Sequence, residues 1–421
     1  MPDVSSYAPV LSFEDARHLV QRHATLVQPV GTETVDLLSA FARVLAEPII
    51  ADRDLPPFSR STRDGYAVRS ADMARVPVTL NVIGEIKAGE KAANLPANVA
   101  GGQTVSIMTG APVPEGADAV VMVEYSSANG KRIELSRSAH AGENVVPRGA
   151  EARQGSVLVE PGRRLNEAAI GLAASVGKSR VSVYKRPRVA VLSTGDEIVD
   201  IESTPASTEI RNSNIYSLAV QIQQAGGDSV RLPIAPDEPK RLRDLIEQGL
   251  EADLLLMTGG VSMGRYDLVE QVLSDLKAEF FFTGAQIQPG RPVVFGRCGA
   301  RAPARETSAA YFFGLPGNPV STMVTFELFG RPMLEALAGM LPRPLMFVQA
   351  KLKSETKVKP GLKRFLPAIL SGEFENTQVE LVQWQGSGDI AAVGRANCYI
   401  VIPADRERLA AGEFVPIILR Y

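Results

Sequence analysis

The segment from Leu254 to Gly264 constrains the fold of this chain more than any other. Its order, Leu-Leu-Leu-Met-Thr-Gly-Gly-Val-Ser-Met-Gly, is an apolar run that ends abruptly in a glycine-rich turn, and a helical pattern begins at Asp267. Glycine lets backbone N–H groups approach a phosphate closely, and the N-terminus of a following helix adds a partial positive charge. The segment therefore predicts either an anion-binding loop or an ordinary turn after a buried strand.

Two more segments have the same build. Val189 to Glu197 is a strand that ends in the polar turn Ser-Thr-Gly-Asp-Glu, and Tyr311 to Val320 is a strand that ends in Leu-Pro-Gly-Asn-Pro-Val. In the second segment, Asn318 is placed to cap a helix that has Pro319 at its first position. All three segments are therefore interpreted as loops at the carboxyl ends of strands.

Helical stretches alternate with these strands, from Asn214 to Ala225, with Gly226 as the stop, and from Pro239 to Glu251. Strands that alternate with helices predict a parallel sheet with right-handed crossovers. In such a sheet the strand-end loops gather at one edge, where open α/β sheets bind their ligands.

Composition and charge limit the class of protein. The chain has 421 residues, which favours roughly three domains or slightly more, and a net charge of -2. That charge gives no reason to expect nucleic acid or an anionic membrane as a partner. The chain has neither an apolar run of about 18 residues nor an N-terminal basic segment followed by an apolar one. We therefore expect a cytoplasmic protein.

The cysteines and histidines are few, and we expect them to hold no metal. Cys298 and Cys398 are far apart in strand-like contexts, which favours neither a disulfide framework nor a thiolate metal site. The three histidines, His18, His23 and His140, give little material for a zinc site and are interpreted as ordinary packing or surface residues.

The pattern along the chain predicts four regions. Residues 1–50 and 161–186 form an N-terminal helical and linker region, 51–160 an inserted β-rich domain, 187–341 the α/β domain and 342–421 a C-terminal β-barrel. The fold class is thus multidomain α/β plus β, built around a central parallel sheet.

Local signals support this division. Helices are predicted from Ser12 to Val27, where Ser12 and Asp15 form a capping box, from Ser39 to Ala46, and from Asn166 to Val176. The predicted strands are Val78 to Ile83, Ala119 to Val123, Leu362 to Leu370, Gln378 to Gln383, Cys398 to Ile402 and Phe414 to Leu419. A hairpin is predicted at Asn129-Gly130.

Six segments match one family in the same order along nearly the whole chain. They are Leu55 to Val68, Ile107 to Val120, Ser193 to Glu197, Thr258 to Gly264, Gln288 to Pro292 and Leu315 to Ser321. The chain resembles the molybdopterin molybdenumtransferases, the family of MoeA and the gephyrin E domain. The resemblance implies a central sheet of the molybdopterin-binding type.

The resemblance also implies an activity. Family members insert molybdenum from molybdate into adenylylated molybdopterin, use a divalent cation such as Mg²⁺, and release AMP with the molybdenum cofactor. They are elongated homodimers, with a cleft between the β-rich domain of one subunit and the α/β domain of the other. A molybdopterin adenylyltransferase as donor and molybdoenzymes as acceptors are the implied partners.

The resemblance assigns reactive roles to five residues: Asp64, Thr109, Glu197, Asp237 and Asp267. The last three are the implied metal ligands, since Mg²⁺ prefers carboxylates and water. Structural roles remain as alternatives, because Asp64 before a glycine also suits a turn, and Asp237 and Asp267 also suit helix entry.

The resemblance further implies a cofactor-binding set: Ser193, Thr194, Gly195, Asp196, Gly259, Gly260, Ser262, Gly264, Arg291, Pro316, Gly317, Asn318, Pro319, Arg364 and Ser387. Ser387 also suits an ordinary turn. The chain departs from the family pattern at Gln288, Gly284 and Val146, which replace basic residues. An acidic position of the family pattern corresponds to Glu151. We expect these departures to reduce positive charge near the oxyanion. A non-catalytic cofactor-binding scaffold and a molybdopterin adenylyltransferase remain as alternative functions.

Overall fold

A computed structural model describes residues 8–91, 98–260, 268–299 and 310–420. The predictions for Ser262, Gly264 and Asp267 lie outside the described residues. Within those ranges, no helix is long and apolar enough to cross a membrane.

Six strands of the described chain form the central sheet, and the predicted α/β architecture is confirmed. Their spatial order is Asp228–Arg231, Arg188–Ser193, Leu254–Thr258, Ala310–Leu315, Val294–Cys298 and Glu279–Phe282. The first four run parallel to one another, whereas Val294–Cys298 runs antiparallel to both of its neighbours. The sheet is therefore mixed, because Glu279–Phe282 connects to Val294–Cys298 without the helical crossover that a parallel pair needs.

Both faces of this sheet are covered, which explains why its strands are continuous apolar runs. Along Leu254–Thr258 every residue is buried, and successive side chains alternate between two apolar clusters. Leu254 and Leu256 pack beneath the helix Asn214–Ala225, while Leu255 and Met257 pack beneath Pro239–Gly249. The period-two alternation of a strand thus joins both helical layers to one sheet.

The predicted helices are confirmed where a cap fixes their ends. In Phe13–Ala24, the Ser12 hydroxyl accepts the Asp15 amide at 3.0 Å, and Asn214–Ala225 ends at Gly226 with φ 97°. The remaining α-helices of the described chain are Glu167–Ser175, Pro239–Gly249, Leu268–Asp275, Pro319–Thr325, Arg331–Leu337 and Ile390–Arg395.

The helix predicted from Ser39 to Ala46 is wrong. Only a short 3-10 turn, Leu37–Ala40, forms there, and Ala42 follows with φ 61°. The Ala42 amide donates to Leu165 O at 2.8 Å and the Leu45 amide to Arg163 O at 2.9 Å. Pairing with this distant segment satisfies the backbone, and tertiary structure therefore overrides the local helix preference.

A second sheet forms the β-rich part, again with six strands in the described residues. Their order is Ala119–Met122, Gly65–Val68, Gln103–Ile107, Val78–Ile86, Arg132–Leu135 and Ser126–Asn129. The last two pair antiparallel across a two-residue loop whose Gly130 has φ 59°. The predicted strands near residues 78 and 119 and the hairpin are therefore confirmed.

Five strands close into a C-terminal barrel, as predicted. Lys363–Ser371 pairs on one side with Gln378–Leu381 and on the other with Cys398–Ile402, and Val348–Leu352 and Phe414–Leu419 complete the circle. Closure leaves no unpaired edge between these strands. The short strand Ile287–Gln288 pairs with Lys363 and Arg364 and links the α/β part to the barrel.

Short two-stranded pairs account for the other strands of the described chain. They are Val10–Leu11 with Gly284–Ala285, Thr32–Asp36 with Arg180–Tyr184, Ile49–Ile50 with Val157–Val159, Arg60–Ser61 with Val145–Val146, Ile198–Val199 with Ile210–Arg211, and Thr356–Lys357 with Arg408–Leu409.

The first helix, Phe13–Ala24, packs on the α/β core. The Phe13 ring lies 5.1 Å from the ring of Phe365 in the barrel and 6.2 Å from that of Phe329. Val20 is fully buried in the same cluster. This helix therefore holds the barrel and the α/β core together through one apolar surface.

Replacing Val20 tests this packing. We expect Val20→Ala to lower the free energy of unfolding by about 2 kcal/mol, because it removes buried methyl groups. Val220, on another helix, is 54% exposed, and Val220→Ala is the matched control with an effect within about 0.5 kcal/mol. Urea unfolding of the two variants gives the comparison, and equal losses would contradict the buried role of Val20.

Candidate functional site

The ends of four parallel strands meet at one edge of the central sheet. The Thr194 amide donates to Thr258 O at 3.0 Å, the Gly195 amide to Ala235 O at 3.2 Å, and the Gly259 amide to Leu315 O at 3.3 Å. Each of these bonds joins a loop to a neighbouring strand or loop. The predicted turns therefore form one continuous surface at the carboxyl edge.

The turn after Leu254–Thr258 requires glycine. Gly259 has φ 90°, and a Cβ there would lie 2.5 Å from Thr194 O. Gly260 has φ 63°, and its Cβ would lie 2.7 Å from the Thr194 hydroxyl oxygen. Side chains other than hydrogen would collide with the neighbouring loop, so the glycines allow two loops to pack in direct contact.

Thr194 lies between these loops, and the environment of its side-chain hydroxyl is unusual. The residue is 4% exposed, and its hydroxyl has no hydrogen-bond partner within the described ranges. The neighbouring Ser193 hydroxyl, in contrast, is hydrogen-bonded to Asn212 Oδ1 at 3.0 Å. A buried hydroxyl without a partner is costly, so this atom stands out at the edge of the sheet.

Three predicted acidic residues are exposed on the same edge: Asp196, Glu197 and Asp237. Asp196 Oδ1 accepts the Asp237 amide at 3.0 Å, which ties two loops together. Among the described residues, no three His, Cys, Asp or Glu side chains form a group that could hold a metal ion. Mg²⁺ sites in general need only one or two carboxylates, because water and substrate phosphates supply the remaining ligands.

A loop of the barrel reaches the turn after Ala310–Leu315. Asn318 occupies the N-cap position as predicted, but its side chain makes no cap bond within the described chain. Instead, Asn318 Nδ2 donates to Ser387 Oγ at 2.9 Å, and the Val320 amide donates to Ser387 O at 3.1 Å. Ser387 therefore accepts one amide of this helix N-terminus, the end at which the sequence predicted Asn318 as the cap.

The predicted cationic residues lie where the α/β part meets the barrel. Arg364 is paired in register with Gln288, and its guanidinium donates to Lys359 O. Arg364 Nε is buried without a partner among the described atoms, and burial lowers the pKa of this arginine. Arg291 is exposed close by in sequence. One arginine thus stands beside Gln288, the position that lacks the expected lysine.

Asp64 and Thr109 come together on the β-rich sheet. The Thr109 amide donates to Asp64 Oδ1 at 2.6 Å, and both residues are exposed. Hydrogen bonds from the Thr109 backbone and then from its side chain hold the pKa of Asp64 below its usual value. The carboxylate therefore remains ionised at neutral pH. The hydrogen bonds described for this pair stay within the β-rich part.

The other departures from the family pattern have local explanations. Val146 pairs with Arg60, whose guanidinium lies 3.1 Å from Glu151 Oε1, so a cation is present beside both positions. Gly284 is buried, and a Cβ there would lie 3.1 Å from a Val10 methyl group. A longer side chain at 284 has little room.

Sequence reasoning missed two asparagines at the start of the helix Asn214–Ala225. Asn212 is hydrogen-bonded to Ser193, and Asn214 Nδ2 donates to Thr258 Oγ1 at 2.8 Å and to Gly317 O at 2.7 Å. The pattern Asn-Ser-Asn at the start of an apolar helix is the sequence signal that could have indicated them. These side chains link three of the strand-end turns.

The chain is similar to known proteins in its family matches, its sequence and its fold. Three family models match in order: MoeA N-terminal region (domain I and II) at residues 11–177, probable molybdopterin binding domain at 190–336, and MoeA C-terminal region (domain IV) at 349–419. A molybdopterin molybdenumtransferase of a Nostoc species is 32% identical and covers 98% of this chain and 94% of its own.

Two further proteins agree. A molybdopterin molybdenumtransferase of Synechococcus elongatus is 34% identical over 97% of this chain and 99% of its own. The chain belongs to the molybdopterin molybdenumtransferase family. The crystal structure of a molybdopterin biosynthesis MoeA protein from Pyrococcus horikoshii aligns with a TM-score of 0.77 and 27% identity, covering 98% of this chain and 100% of that one. The predicted family and fold are confirmed.

Substitution of Gly259 tests the contact between the two loops. Gly259→Ala places a methyl group against Thr194 O, and we expect it to destabilise the protein by about 1–3 kcal/mol more than a control. Gly89→Ala is that control, because Gly89 has φ 83° but open space around its Cβ position. Subtracting the loss in free energy of unfolding of Gly89→Ala from that of Gly259→Ala cancels the backbone strain that both variants share. Equal losses would show that the two loops separate without cost.

Proposed function

We propose that this protein inserts molybdenum from molybdate into adenylylated molybdopterin and releases AMP. The observation that carries the proposal is the carboxyl edge of the central sheet. There, a glycine turn, exposed carboxylates and a barrel loop converge in a chain that belongs to the molybdenumtransferase family.

The proposal gives the phosphate-binding role to the turns. The loops with Thr194, Gly259, Gly260 and Gly317 are proposed to enclose the pyrophosphate and the pterin phosphate at the strand ends. Arg291, Arg364 and Ser387 are proposed to hold the oxyanion at the junction with the barrel, where arginine offers a fixed charge and a bidentate fork.

Mg²⁺ belongs to the proposal because of the chemistry of the donor set. Glu197 and Asp237 would hold the ion together with Asp267, and the substrate phosphates and water would supply the other ligands. When bound, the ion neutralises charge on the pyrophosphate. The exposed carboxylates of Glu197 and Asp237 would orient the ion, and the bond from the Asp237 amide to Asp196 Oδ1 keeps their loops adjacent.

We also propose a homodimer whose cleft combines Asp64 and Thr109 of one subunit with the α/β edge of the other. Support comes from the family resemblance and from the pairing of Asp64 with Thr109, which presents an ionised carboxylate on an exposed surface. The proposal also includes a cytoplasmic location and the four-domain division. Its partners are a molybdopterin adenylyltransferase as donor and molybdoenzymes as acceptors.

The two alternative functions are less favoured. An adenylyltransferase built on the sheet alone would use residues 187–341, whereas family models also match the N-terminal and C-terminal parts. A scaffold would tolerate loss of the carboxylates that this chain retains. Incubating the protein with adenylylated molybdopterin, Mg²⁺ and molybdate decides the matter, and neither AMP nor molybdenum cofactor would form if the proposal were wrong.

Single substitutions test the acidic residues. We expect Asp64→Ala and Asp237→Ala each to reduce AMP release about 10- to 100-fold, because each removes a metal ligand or its support. Asp244→Ala is the matched control, since Asp244 is an exposed acid within Pro239–Gly249, and it should keep the wild-type rate. Wild-type rates in the two site variants would refute the assigned roles.

Mixing variants tests the shared cleft. If the cleft uses two subunits, Asp64→Ala and Asp237→Ala proteins should regain activity when they exchange subunits, because one hybrid cleft then carries no substitution. Native mass spectrometry of tagged subunits confirms the exchange. Full inactivity of an exchanged mixture would show that each cleft is built within one chain.

A further inference from the structure

Asn214 joins the two turns that follow the central strands. It is the first residue of Asn214–Ala225, and its side-chain amide donates to Thr258 Oγ1 at 2.8 Å and to Gly317 O at 2.7 Å. Thr258 Oγ1 in turn donates to Pro316 O at 3.3 Å. One amide group therefore spans the ends of two neighbouring strands.

The chemistry of this link requires an amide. Both contacts use the Nδ2 group as donor, and a carboxylate of the same shape has only acceptors and would face the Gly317 carbonyl with like charge. Asn214 Oδ1 is buried without a hydrogen-bond partner among the described residues. The hydrogen bonds that the described residues make with this side chain are therefore both donated by Nδ2.

We propose that Asn214 is a positioning residue that fixes the spacing between the glycine turn at 258–260 and the turn at 316–319. This inference rests on the proposed function, in which both turns bind the pterin nucleotide. In this proposal Asn214 acts through Thr258 and Gly317. Small misplacement of binding groups lowers rates steeply, up to about 100-fold for 1 Å.

The same helix supplies a matched control. Gln221 is two helical turns further along, its Nε2 donates to Met323 O at 3.1 Å, and its Oε1 is also buried without a partner in the described chain. Its contact lies inside the helix Pro319–Thr325 and ties helix to helix. Asn214→Asp and Gln221→Glu therefore make the same chemical change, but only the first alters the turns.

The experiment compares these two variants with the wild type in three measurements. These are the kinetics with adenylylated molybdopterin, urea unfolding, and hydrogen exchange of the amides in 254–260 and 311–322. We expect Asn214→Asp to raise KM for the pterin nucleotide about 10-fold or more, and to speed exchange in both turns. Its unfolding midpoint should match that of Gln221→Glu, whose KM should stay near wild type.

Equal changes in KM and exchange for both variants would overturn the proposal, because they would show a general packing role. Unchanged exchange at the two turns in Asn214→Asp would also overturn it. If the wild type releases no AMP, the function proposed above fails, and hydrogen exchange still decides whether Asn214 positions the turns. Asn214→Ala, which removes the amide without adding charge, keeps the test valid if the aspartate variant fails to fold.

Discussion

Backbone hydrogen bonds between the strand-end loops are the interaction on which the rest of the site depends. The bonds from Thr194 to Thr258, from Gly195 to Ala235 and from Gly259 to Leu315 continue the parallel ladder past the ends of the strands. They form only if the strands keep their register and if glycine allows direct contact between loops. The apolar layers on both faces of the sheet fix that register, so the packing of the core determines the geometry of the site.

The sequence predicted the parts of the fold that depend on local pattern. The capped helices, the apolar strands and the hairpin at Gly130 were found because caps, alternation and turn residues act over a few residues. Long-range pairing was not predictable in this way. The segment near Ala42 forms a backbone hydrogen bond with Leu165 instead of a helix. Val294–Cys298 runs antiparallel to its neighbours because its connection to Glu279–Phe282 lacks a crossover helix.

The candidate site follows the same division. Turn residues such as Gly259 were recognisable because a short run of adjacent residues is enough to predict a turn. The role of Asn214 was not, since its partners Thr258 and Gly317 are far away in the sequence and become neighbours only in the folded sheet. Asn318 was placed correctly at its helix start, but its actual partner, Ser387, lies in a distant turn just before the helix Ile390–Arg395.

The bond between the barrel loop and the helix Pro319–Thr325 has a thermodynamic consequence. Because the Val320 amide and the Asn318 side chain already donate to Ser387, an anion that uses these donors must first displace the barrel loop. Its apparent affinity is lowered by the free energy of that contact, and by linkage its binding weakens the contact of Ser387 with the helix start to the same extent. An anion bound to these two donors and their hydrogen bonds to Ser387 therefore exclude each other.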